Sequence, residues 1–313
     1  MYFSAFVAMD CKHVTIKSYL ASIRHLHIIN GFPLELTKFL RLQLLVRGIK
    51  RVQGNTVRPR RPITLQHLKL FHALLNIANT CNPDSLMLWA SMTLAFFGFL
   101  RLSELTCNSS FDQYVHLAPD DISFFPNQHA VIHMIVRIKA SKTDPFRTGI
   151  TITVGKTDSH ICPVSAMLNY LSIRPSTTGP LFIYASGRSL SKSLLISETR
   201  QLLAKGGLRE EEFAGHSFRI GAATSAAAAN TPAWLIKVMG RWSSDCFERY
   251  IHTPASVLAQ VSKQLVNHHL LAPPTFHNHF IGMACSIRVA SIHSMGGMLC
   301  ILWEKVLPSV LPP

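Results

Sequence analysis

The chain has 313 residues, 48% of them hydrophobic, and carries 31 Lys and Arg against 16 Asp and Glu for a formal charge of +15. That length and apolar content can bury a sizeable core, fit two domains, and exclude a disordered chain. The charge points to a polyanionic partner, most simply nucleic acid, with a membrane surface as the lesser alternative.

Eleven of the basic residues fall within residues 1–62, where only Asp10 and Glu35 oppose them. Charge concentrated in this way is what a DNA-gripping arm requires. The seven cysteines (Cys11, Cys81, Cys107, Cys162, Cys246, Cys285 and Cys300) are scattered and contain no C-x-x-C pair. They indicate neither a disulfide framework nor a zinc site, and a reducing compartment fits best. The opening MYFSAFVAMD lacks the basic start and apolar core of a signal peptide and reads as a start inside a helix.

Residues 14–30 place Ile16, Tyr19, Leu20, Ile23, Leu26 and Ile28 at helical spacing, with Lys17 and Arg24 on other faces and Gly31 and Pro33 ending the run. A second helix is predicted over 37–53, apolar at Leu40, Leu44, Leu45 and Ile49 and basic at Lys50 and Arg51 among others. The stretch QGNTVRPRRPIT follows, with Arg58, Arg60, Arg61 and two prolines and no hydrophobic period. A domain boundary belongs here. Lys17, Arg24, Lys50, Arg51, Arg58, Arg60 and Arg61 are the candidate phosphate contacts, since few acids balance them.

Thr64 can cap a helix running to about Ile77, and Pro83 can open the next. Ser85–Leu100 is uncharged over 16 residues, just short of a membrane span, and runs into Arg101; a buried core helix is the better reading. Arg101 and Glu104 are spaced i and i+3, so Glu104 can orient Arg101 and leave part of its donor fork free. From 129 to 155 the period alternates, which predicts two β-strands joined by a hairpin carrying Lys142. An ammonium there can donate a proton to a departing oxygen, with Lys139 as its rival inside the strand pattern. Further helices are expected at 163–172, 193–205 and 257–266, with a short strand and turn at GPLFIYASGR.

Ala214 to Thr253 holds the densest chemistry. His216 and Arg219 lie at i and i+3, so a helix beginning near Gly215 points both at one target, close to N–H groups that favour an anion. Tyr250 is a candidate phenol nucleophile, and Trp242 can donate an indole N–H. Together they suggest chemistry on a phosphate. The histidines of the tail, His268, His269, His277 and His279, follow no compact ligand spacing, so no metal site is expected.

Arg101, Lys142, His216, Arg219, Trp242 and Tyr250 stand in one order, and this set resembles the tyrosine recombinase (phage integrase) family. The wording GFLRLSEL, SKTD, GHSFRIGAAT and GRWSSDCFERYI is most similar to recombinases of eukaryotic mobile elements of the Crypton and DIRS types. The resemblance covers about residues 10–265. It implies a mainly α fold with a small antiparallel β-sheet: a short helical core-binding domain over 1–55, a basic linker over 56–63 and a catalytic domain over 64–266, with the role of 267–313 open.

By that resemblance Tyr250 attacks a phosphodiester of double-stranded DNA, forming a 3′-phosphotyrosyl link and freeing a 5′-hydroxyl. Arg101 and Arg219 clamp the phosphoryl oxygens, His216 and Trp242 supply further donors, and Lys142 protonates the leaving oxygen. No cofactor is implied. A phenol of pKa about 10 is only about 0.1% ionised at pH 7, so Tyr250 needs cationic neighbours or a base, and His216 is the assistant. The resemblance further implies a homotetramer on DNA, a nuclear setting and no membrane association. Tyr250 follows Trp242 by eight residues where nine is the family's commonest spacing, a shift of about 100° on an α-helix. Two other readings compete: a catalytically silent DNA-binding protein derived from a mobile element, and a type IB topoisomerase, from which SKTD and GHSFR point away.

Overall fold

The computed structural model describes residues 11–54, 60–142, 144–253 and 258–259. The chain begins with α1 (His13–Ile29) and α2 (Leu40–Gln53), with a 3-10 turn at Leu36–Lys38 where an unbroken second helix was expected. The Gln53 amide donates to Cys11 O and its oxygen accepts from His13 N, tying the end of α2 to the start of α1. Most long apolar side chains of this pair are exposed, and Ile16 is its buried residue.

The larger part opens at α3 (Leu65–Leu74), whose N-cap is Thr64 as expected. His67 closes a capping box there, its Nδ1 accepting from Thr64 N at 2.9 Å. Next, α4 (Pro83–Phe97) starts with Pro83 in its first turn and Asn82 as cap, and every residue from Leu86 to Phe96 is buried. It is the core helix that its hydropathy called for, packed against α6 and α8, defined below. No helix among the described residues is long and apolar enough to cross a membrane. After α4, the short α5 (Leu102–Leu105) presents Glu104.

A three-stranded antiparallel sheet follows in the order β1 (Ile122–Phe125), β2 (His133–Ile138), β3 (Ile150–Gly155). The β2–β3 hairpin was expected; β1 was not, because its four residues are too few to show a period. Ile122 pairs with Val136 and Met134 with Val154, which directs Ile122, Met134, Val136, Ile138 and Val154 to the buried face. Each such side chain contributes about 1.5–3 kcal/mol. The predicted strand near 180 is reduced to a bridge between Ile183 and Ser189.

Helices α6 (Pro163–Ile173) and α7 (Lys192–Lys205) lead to α8 (Ser217–Ala228), then α9 (Ala233–Met239) and a 3-10 helix at Asp245–Tyr250. Residues 60–63, expected as part of a linker, are pinned to this end of the molecule. Arg61 N donates to Glu212 O and Ile63 N to Ser217 O, both at 2.9 Å. Gly221 makes this approach possible: a β-carbon there would stand 1.7 Å from Ile63 O. The helix expected at 257–266 and the tail from 267 lie outside the described residues except for 258–259.

Candidate active site

The site forms where the ends of α4, α5, α8 and the last 3-10 helix meet. Glu104 is its hub. Its side chain is 1% exposed and accepts from Arg101 twice, from the backbone N at 2.9 Å and from Nη1 at 2.8 Å. The backbone bond and the salt link together hold Glu104 and Arg101 against each other. The other two Arg101 nitrogens donate to no described residue, so part of its fork stays open on a partly exposed side chain.

Arg241, to which no role was assigned from the sequence, takes the second face of Glu104 through Nη2 at 2.6 Å. It reaches inward because Arg241 itself adopts a left-handed backbone, φ 55°, directly after Gly240. The signal that could have revealed it is arithmetic of charge: GFLRLSEL supplies one acid to a region where Arg101, Arg219 and Arg241 all converge.

Arg219 lies on α8 and is 1% exposed. Its Nη1 donates to Phe99 O at 3.1 Å and its Nη2 to Gly240 O, while Nε is buried without a partner. The guanidinium stands 4.4 Å above the Trp242 ring. The resemblance implied a phosphate clamp at Arg219; in the structure two of its nitrogens donate to backbone carbonyls, which offsets part of the cost of burying the charge. Among the described residues no carboxylate binds it directly. Burial first, then Arg101 and Arg241, pull its pKa down to about 10.

Trp242 is nearly buried and acts as a platform. Arg219 covers it, and Phe99, Phe247 and Tyr250 meet its ring at centroid distances of 6.3, 5.9 and 5.4 Å. Gly240 leaves room for it, since a β-carbon at 240 would stand 1.6 Å from Trp242 Cζ3. Tyr250 sits half-buried between Trp242 and the His216 ring, which stacks at 6.5 Å and 27°. Its carbonyl accepts from Thr224 Oγ1 at 3.0 Å, and the same hydroxyl accepts from His252 N, so α8 holds the Tyr250 segment on both sides.

The eight-residue spacing is met by this local path. A bend at Ser243 and Ser244 followed by a 3-10 helix of six residues replaces the α-helix on which the angular shift was reckoned.

His216 is the N-cap of α8 and is exposed, whereas Arg219 three residues on is buried, so the two side chains expected to share one target differ in burial. Burial and then Lys192, Arg219, Arg60 and Arg101 hold its pKa below the ordinary 6.5. A neutral imidazole follows at pH 7, able to accept a proton. Lys192, at the start of α7, is the second residue that the sequence reading missed.

Lys142 stands apart. It is exposed on the turn after β2, with no hydrogen bond or ion pair to the cluster. Its rival Lys139 is occupied, paired with Asp121 at 2.6 Å and donating to Gln113 O and His116 O. Of the other basic candidates, Lys17, Arg24 and Lys50 line one groove between α1 and α2, Arg51 is exposed on α2, and Arg58 lies outside the described residues. Arg60 is exposed, and Arg61 pairs with Glu212 at 2.5 Å.

No protein-family model matches the sequence. The chain is 29% identical over 255 residues to an integrase/recombinase xerD homolog of Selenomonas ruminantium, covering 78% of this chain and 70% of that protein. Its fold is similar to that of the Tn1549 transposon integrase in complex with a circular intermediate DNA, with a TM-score of 0.54 at 13% identity over 84% of each chain. The fold is that of the tyrosine recombinases. A second similar structure is the XerH site-specific recombinase in a post-cleavage complex with palindromic difH substrate. Its TM-score is 0.51 at 14% identity, over 68% of this chain and 55% of the XerH chain, little more than half of that relative's length.

Within a tyrosine recombinase fold, the expected mainly α architecture with a small antiparallel sheet holds. The chain gathers Arg101, Glu104, His216, Arg219, Trp242 and Tyr250 from three separate stretches into one surface. One carboxylate faces three guanidiniums there, leaving an excess of about two positive charges around a phenol. Such a surface can accept an anion and stabilise negative charge developing on it.

Proposed function

We propose that the protein is a DNA strand transferase that cleaves and rejoins double-stranded DNA through Tyr250. The observation that carries the reading is the placement of a half-buried phenol between His216 and a Trp242 platform, beside three guanidiniums served by one carboxylate.

In the proposed step, Tyr250 Oη attacks phosphorus as its proton passes to the neutral His216 imidazole. The bond to the 5′-oxygen breaks, and Lys142 supplies the proton that leaves a free 5′-hydroxyl. The 3′-phosphotyrosyl link keeps the bond energy, and a 5′-hydroxyl from a partner strand reverses the step. Arg101 grips the phosphoryl oxygens with its open nitrogens. Arg219 and Arg241, buried behind it, raise the local potential without direct contact. Lys142 lies outside the cluster, so its part requires the turn after β2 to approach the DNA.

We read the protein further as a mobile-element recombinase of Crypton or DIRS type, working as a homotetramer on two DNA sites in a nucleus. The motif wording supports the element type, and the tetramer follows from the need to exchange four strands. The domain division at residues 56–63 belongs to the same reading, with 1–55 and 64–266 embracing the duplex. Lys17, Arg24 and Lys50 would then line the groove that meets the backbone, and Arg51, Arg58, Arg60 and Arg61 would add further phosphate contacts.

One observation favours the silent DNA-binding alternative: two nitrogens of Arg219 are held by backbone carbonyls. Incubation with a nicked suicide substrate bearing the element's termini, followed by a denaturing gel, separates the two. A covalent protein–DNA adduct that Tyr250→Phe abolishes supports strand transfer. Salt-dependent binding with no adduct supports the alternative.

A further inference from the structure

Lys192 belongs to no motif, yet its side chain lies at the rim of the site. A β-carbon placed on Gly215 would stand 3.2 Å from Lys192 Cε, which brings the lysine stem against the residue that precedes His216. Its backbone N–H donates to Asn108 Oδ1 at 2.8 Å, so the start of α7 is anchored there. The ammonium has no ion pair among the described residues. Arg60 reaches the same rim from another direction. Residue 61 is bonded to Glu212 and residue 63 to Ser217, so the chain at Arg60 runs beside the segment that bears His216, and Arg60 makes no ion pair among the described residues.

Glu104 holds Arg101 and Arg241, and Glu212 holds Arg61 and Arg209. Glu210 and Glu211 lie on the same 3-10 turn as Glu212, and neither pairs with Lys192 or Arg60. The lysine is also placed against its own helix, since a cation in the first turn faces the positive end of the macrodipole and is unfavourable there. The depression of the His216 pKa by both cations agrees with their proximity.

We propose that Lys192 and Arg60 form a second phosphate subsite beside His216 that grips the DNA backbone next to the phosphate under attack. The proposal rests on the DNA strand-transfer reading of the site. It would couple residues 60–63 to the chemistry, because the same short segment that carries Arg60 is bonded to the start of α8.

The test is the salt dependence of duplex DNA binding by the full chain. Each lost phosphate contact lowers the slope of log K against log salt by about 0.9. Lys192→Ala and Arg60→Ala should each lower it by about that amount and the double variant by about twice as much. Lys192→Arg should keep the wild-type slope, and Lys205→Ala, at the far end of α7, should leave it unchanged. Equal slopes for wild type and Lys192→Ala would overturn the subsite. So would an equal fall in Lys205→Ala, which marks only general surface charge, or a Lys192→Arg that behaves like alanine. The outcomes remain separable from the function itself. If the wild type forms no adduct while the Lys192 slope still falls, strand transfer fails and the phosphate subsite stands.

Discussion

Arg241 Nη2 lies 2.6 Å from Glu104 Oε2, and through that contact one buried carboxylate is shared by two arginines from opposite ends of the catalytic region. A charge so deeply placed is tolerable only while its partners remain. Glu104→Gln should therefore destabilise the protein by about 3–5 kcal/mol, leaving Arg101, Arg219 and Arg241 to repel one another. Arg241→Met should cost less, because Glu104 keeps both bonds from Arg101. Chemical denaturation of the two variants checks the order. A smaller loss for Glu104→Gln than for Arg241→Met would contradict the hub role.

Thr224 holds the proposed nucleophile, Tyr250, through the backbone rather than through its aromatic ring. Its hydroxyl donates to Tyr250 O and accepts from His252 N, both at 3.0 Å. Thr224→Val removes both bonds at nearly constant shape, at about 1 kcal/mol each. The expected outcome is slower adduct formation, by about tenfold, with DNA affinity unchanged, and recovery in Thr224→Ser. Equal rates for Val and wild type would show that the Tyr250 segment is held by its rings alone.

Gly221 is set by close approach. A β-carbon at 1.7 Å from Ile63 O meets backbone, which cannot rotate away. Gly221→Ala should cost about 3 kcal/mol and loosen residues 61–63 from α8. Thermal melting measures the first effect. Faster amide hydrogen exchange at Ile63, whose N–H donates to Ser217 O, measures the second.

Acid should weaken the fold. His67, His72 and His216 are all held below the ordinary 6.5, burial being the largest cause in each, with Arg61 acting on His67 and His160 on His72. Groups with depressed folded pKa values bind more protons when unfolded, so stability is complete above about pH 6.5 and is lost as pH falls from there through the folded values. Denaturant midpoints between pH 8 and pH 5 should fall over the lower part of that range. Replacing His67 by Gln should flatten the fall, since its Nδ1 must stay unprotonated to accept from Thr64 N.

Much of this molecule is written locally. Thr64 and Pro83 start their helices where the sequence says, the uncharged run after Ser85 becomes the buried α4, and the alternating stretch from 129 becomes a hairpin. These features depend on caps, proline and hydrophobic period, which act over a few residues. The order Arg101, Lys142, His216, Arg219, Trp242, Tyr250 was legible for the same reason, as motif wording rather than geometry.

What the chain does with those residues was decided only by packing. The turn inward of Arg241 depends on a left-handed backbone and on an acid 137 residues away in sequence. Arg219 gives its donors to Phe99 and Gly240 because those carbonyls close over it, and Lys192 joins the site because Gly215 leaves its stem room. The sequence by itself determined which elements form and which chemistry is present. The tertiary structure decided which charges share a carboxylate and which do not, since that depends on distances and burial that no local pattern encodes.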